Sequence, residues 1–126
     1  MNKCLVLSKH TLTPPQIQEL QTDWLVEKFI YLDEVQKLKW GNISPLAKST
    51  EIVRFVKEDV LNWIRDTKPN IVVMLGEHGA VAVTAFYLQR EGIIALYPVK
   101  KRLPTGAFTH FRFRRHPIQE VAKREV

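Results

Sequence analysis

The chain has 126 residues, 45% hydrophobic and 25% charged, a length that supports one domain with a real core and is short for two. No apolar run approaches a bilayer span and a single cysteine excludes an internal disulfide, so a cytoplasmic protein with no membrane association is expected. The formal charge of +6 resides in residues 100–115, where Lys100, Lys101, Arg102, Arg112, Arg114 and Arg115 meet no acidic residue and the remainder balances at 13 against 13. Such local excess points to a site for an anionic ligand more than to a general nucleic-acid coat, so no long nucleic acid is expected as a partner.

Residues 3–7, KCLVL, form a short apolar run that reads as a first strand and not as a secretory leader. Thr13 as N-cap with Pro14 and Pro15 behind it, followed by Ile17, Leu20 and Trp24 on one face, predicts a helix over residues 14–25. FIYL then suits a second strand, and Asp33 caps a short helix through Trp40 that Gly41 ends. Residues 42–50 read as a loop. Ile52, Val53, Val56, Val60, Trp63 and Ile64 recur at helical spacing and predict a helix over residues 51–66.

Ile71, Val72, Val73, Met74 and Leu75 lack polar alternation, as in a parallel strand covered on both faces. Gly76 and Gly79 bracket Glu77 and His78 where a helix begins. Glycines there permit a tight turn and close ligand approach, and open amides at the helix N-terminus favour anions. IIALY, residues 93–97, is a further buried strand that Pro98 closes, and a basic loop follows. FTHFRFRR alternates so that Phe111 and Phe113 face inward and His110, Arg112 and Arg114 outward. Residues 116–126 read as a frayed helix or a loosely ordered tail, within a single domain over residues 1–126. The tryptophans Trp24, Trp40 and Trp63 are expected in the core.

Strands alternating with helices predict an α/β fold: an open, mostly parallel sheet with helices on both faces and the C-terminal strand at its edge. Ligands in such folds sit beyond the carboxyl ends of the strands, here residues 8–10, 76–79 and 98–102.

VLSKHTLT, NIVVMLGEHGA, GIIALYPVKKR and FTHFRFRR, in this order along nearly the whole chain, resemble the Csx-twenty family of CRISPR-associated proteins. The chain departs from that family's pattern at Lys9, where an asparagine stands, and at Pro98, Val99 and Lys100, where threonines precede the basic residue. The resemblance implies a Rossmann-like, CARF-like domain and a homodimer that binds cyclic tetra-adenylate. It also implies ring-nuclease activity giving linear di-adenylate, which switches off type III CRISPR signalling.

The residues suit that chemistry. His10 is the candidate general acid or base, since a near-neutral pKa suits proton transfer. Ser8 and Lys9 would hold the scissile phosphate, with Lys9 counted in the catalytic set. Glu77 is either a base or ribose acceptor or a residue that favours the helix dipole. Gly76 and Gly79 would open backbone amides to phosphate, and Lys100, Lys101, Arg102 and Arg112 would neutralise charge. His78 and His110 complete the candidate ligand-binding set. No metal and no cofactor are expected, because the histidine and carboxylate spacings fit no standard metal motif. A non-catalytic sensor of the same ligand is the alternative.

Overall fold

The computed structural model describes residues 2–124, with side chains through Val121. Five strands form one open sheet in the order β2-β1-β3-β4-β5. Strands β1 (Asn2–Leu7), β2 (Val26–Tyr31), β3 (Ile71–Met74) and β4 (Ile94–Arg102) are parallel, and β5 (Phe108–Arg115) lies antiparallel at the edge beside β4. With its helices this is a Rossmann-like α/β fold, as the strand–helix alternation predicts.

Side-chain alternation along the central strands divides the core into two layers. Leu5, Leu7, Val72, Met74 and Ala95 face one layer. It is covered by Trp40 of α2 (Glu34–Gly41), by a continuous helical stretch and by α5 (His78–Arg90). Cys4, Val6, Ile71, Val73 and Leu96 face the other layer, which α1 (Pro14–Asp23) covers with Leu20. The helical stretch is α3 (Ser49–Phe55), a π-helical turn (Val56–Val60) and α4 (Leu61–Thr67) in succession. At its C-terminus Lys68 takes φ 51°, a left-handed residue that turns the chain back into β3. Among the described residues no helix is long and apolar enough to cross a membrane.

Three expectations need correction, and one left open is decided. The loop over residues 42–50 ends early, because α3 begins at Ser49, where Glu51 Oε1 accepts from the Lys48 amide at 3.2 Å and the Glu51 amide donates to Lys48 O at 2.9 Å. Pro98 does not close its strand: β4 continues to Arg102. The last β3 partner in that ladder is Val73 opposite Leu96, so beyond Leu96 only β5 pairs with β4. The Ala95 carbonyl accepts from His116 on the β5 side, so by alternation Pro98 turns its missing N–H toward the side where β3 has ended.

The inward-outward alternation of β5 fails at its middle. Val99 pairs with Arg112 and Lys100 with His110, so Phe111 is an extra, bulged residue. The bulge puts His110 and Phe113 on the same face, their rings 4.9 Å apart, and leaves Phe111 55% exposed. Finally, of the frayed helix or tail expected at the C-terminus, the helix forms, α6 (Pro117–Arg124), while residues 125 and 126 lie outside the described part. Gln119 fixes this helix with a fully buried side chain. Its Oε1 accepts from Ala95 N at 2.9 Å and Arg115 Nε at 3.1 Å. Its Nε2 donates to Ile93 O at 2.9 Å and Ala85 O at 3.3 Å.

Candidate functional site

The chain leaves β1 through α1 to reach β2 on one side, while β3 lies on the other side. The crevice between the carboxyl ends of β1 and β3 is therefore the point where the winding reverses, the place where open α/β sheets bind ligands. The two strands are joined to their ends: Leu7 pairs with Met74, and Leu75 N donates to Leu7 O at 3.0 Å.

Beyond β1, the buried Ser8 accepts the His10 amide on its Oγ at 3.0 Å, a tight turn that leaves Lys9 and His10 exposed. The stem of Lys9 lies over Gly41, where an added Cβ would come within 2.9 Å of Lys9 Cδ. Beyond β3, Trp40 closes the floor. Its Nε1 donates to Leu75 O at 2.9 Å, and a Cβ on Gly76 would stand 2.7 Å from that nitrogen. Ser8, Lys9, His10, Trp40, Gly41, Ile43, Leu75, Gly76 and Glu77 thus enclose a cavity of about 330 Å³.

Two further cavities open beside it, and all three share Leu75. One, of about 620 Å³, is lined by Gly76, His78, Tyr97, Pro98, Lys100 and His116 among others. The other, of about 400 Å³, includes His10, Thr11, Thr13, Lys100, Phe108 and His110. The rim is continuous, since His10 and Lys100 each border two of these cavities. Burial lowers the pKa of His116, which favours a neutral ring at the 620 Å³ cavity. Among the described residues no group of three or more His, Cys, Asp or Glu side chains is placed to hold a metal ion.

Sequence reasoning and structure agree on Ser8, Lys9, His10, Gly76 and Glu77 as one group, with His78, Lys100 and His110 along the same rim. They disagree on the start of α5. Glu77 is its N-cap, and its carboxylate accepts from Gly79 N at 2.7 Å and Ala80 N at 3.1 Å. Those two amides are therefore occupied, and Gly79 opens nothing to a phosphate. Its Cβ position falls 2.7 Å from Glu77 Oε1. Gly76 is demanded by the close approach of Trp40.

His110 is not on an exposed row. Its Nε2 lies 2.7 Å from Glu19 Oε1, its side chain is 9% exposed, and its Nδ1 is buried without a partner. Lys101, Arg102 and Arg112 line none of the three cavities; they stand on the β4–β5 hairpin. Tyr97 and His116 are rim residues that the sequence left unassigned, and Trp40, expected in the core, is buried there and also floors the site. The dipeptide Trp40-Gly41 at a helix end was the visible signal for that second role, but its contact with Leu75 spans 35 positions.

The model of the uncharacterized protein MJ1673 family matches residues 2–114. The chain is 27% identical over 128 aligned positions to the uncharacterized protein MJ1673 of Methanocaldococcus jannaschii, an alignment covering 92% of this chain and 98% of that protein.

Proposed function

We infer that this chain, which belongs to the uncharacterized protein MJ1673 family, binds cyclic oligoadenylate, most directly cyclic tetra-adenylate, and cleaves it to linear di-adenylate. The observation that carries the reading is the cavity at the β1–β3 switch point, where Ser8, Lys9 and His10 face Gly76 and Glu77. The resemblance of the motifs around these residues to the Csx-twenty family supports the nucleotide class. A volume of about 330 Å³ is near the lower limit for a small-molecule site, so a four-nucleotide ring needs more than one such cavity. Two rims of a homodimer facing each other across a two-fold axis supply them.

The chemistry needs no cofactor. The ribose 2'-hydroxyl attacks the adjacent phosphorus in line; the O2'–P bond forms, the P–O5' bond breaks, and a 2',3'-cyclic phosphate and a free 5'-hydroxyl result. His10 takes the proton of the attacking hydroxyl or supplies one to the leaving oxygen. Lys9, held over Gly41, and the Ser8 turn bind the phosphate and offset its developing charge. In a type III CRISPR system this cytoplasmic reaction would switch the signal off.

Incubation with labelled ring in chelator tests the reading, with linear di-adenylate as the expected product and slower turnover in His10→Ala. A second reading, binding without cleavage, is favoured by Glu77: its carboxylate already occupies the α5 amides that would otherwise stabilise charge on the phosphate.

A further inference from the structure

The hairpin carries the arginines that the rim does not use. Beyond Leu96, β4 pairs only with β5, so the edge of this ribbon that β3 would occupy carries no third strand. Cross-strand pairing puts Tyr97 opposite Arg114, Val99 opposite Arg112 and Lys101 opposite Thr109 on one face. Each arginine on that face lies over an aromatic ring. Arg114 Cζ is 6.0 Å from the Tyr97 ring centre and its Nη1 donates to the Tyr97 hydroxyl at 3.2 Å. Arg112 Cζ is 5.4 Å from the ring centre of Phe111, the bulged residue that is 55% exposed. Guanidinium groups over these rings, with Phe111 exposed, Tyr97 half-buried and Lys101 beside them, set π-surface and positive charge side by side.

We propose that this face of the β4–β5 hairpin is a stacking platform for single-stranded RNA. The chemistry selects the partner. Bases of any sequence have a π-face, and their phosphates match a strip in which residues 100–115 contain no acidic side chain. A second copy paired along β5 is disfavoured because it would set Arg112, Arg114 and Arg115 against the same row. The β5 edge is also partly occupied, since Phe113 N donates to Glu19 Oε2 at 2.7 Å. The proposal departs from the expectation that no long nucleic acid binds, and it does not depend on ring cleavage.

The test is fluorescence anisotropy with a labelled, 2'-O-methylated linear oligoadenylate of about twelve nucleotides, within the span one small domain covers. Methylation removes the attacking hydroxyl, so binding is read apart from catalysis. The full chain is expected to bind it, more weakly as salt rises. Phe111→Ala should weaken binding between about 5-fold and 150-fold, the range for one lost base stack. Arg112→Gln and Arg114→Gln should each lower the slope of log affinity against log salt by about 0.7, the single-strand value per phosphate contact. Because Phe111 is exposed, its replacement leaves the core intact, and a thermal melt verifies this. No binding at low salt overturns the proposal. Equal affinity for a duplex of the same length with Phe111→Ala unchanged also overturns it, since only a charged surface would remain. Capture by anionic vesicles without capture of RNA assigns the face to membranes and overturns it as well.

Discussion

Replacing Gly76 by alanine tests the floor of the site directly. The added Cβ would lie 2.7 Å from Trp40 Nε1, 2.9 Å from Cε2 and 3.0 Å from Cζ2, closer than real side chains approach. Trp40 is only 1% exposed and cannot rotate into solvent without vacating the core. It must shift, and its 2.9 Å hydrogen bond to Leu75 O lengthens or breaks. Overpacking costs about 1–3 kcal/mol. A broken buried hydrogen bond adds about 1–3 kcal/mol. The expected loss is therefore roughly 2–6 kcal/mol, a large share of the ~5–15 kcal/mol that stabilises a domain. Urea unfolding followed by circular dichroism measures it. The double variant Gly76→Ala/Trp40→Phe relieves the collision, so the two changes should be non-additive by about 1 kcal/mol or more. A loss below about 0.5 kcal/mol, or strict additivity, would refute the reasoning, because both quantities depend on that one contact.

Gln119→Ala should destabilise by about 2–4 kcal/mol, read in the same urea assay, because Ala95 N, Ile93 O and Ala85 O lose their partner together. The depressed pKa of His116 gives a pH dependence with a definite sign. The unfolded chain takes up this proton near 6.5 and the folded chain only at lower pH, so stability falls as pH drops below 6.5 and then levels off. His116→Asn should flatten that part of the stability profile. Cys4 is fully buried and its thiol is pushed up to about 12, first by desolvation, so iodoacetamide at pH 8 should label it only after unfolding.

Much of the architecture was legible because it depends on local rules. The unbroken apolar run of β3, the Thr13-Pro14 and Asp33 helix starts and the periodic helix before β3 are properties of neighbouring residues. Their order also placed Ser8, Lys9, His10, Gly76 and Glu77 on one rim. What escaped depends on residues distant in sequence. Pro98 stays within a strand because β3 ends beside it, which no local window contains. Phe111 faces outward because a bulge shifts the alternation, and nothing within FTHFRFRR marks the extra residue. His110 is held by Glu19, 91 positions earlier. The amides at the start of α5 are closed by Glu77 itself, a capping role that competes with the catalytic one for the same carboxylate.

Turnover of labelled cyclic tetra-adenylate by purified protein in chelator, with products separated by chromatography, tests the central claim most directly. The account predicts many turnovers to linear di-adenylate, much slower conversion by His10→Ala, and ring binding retained in that variant. Intact ring after prolonged incubation, or conversion unaffected by His10→Ala, would contradict it.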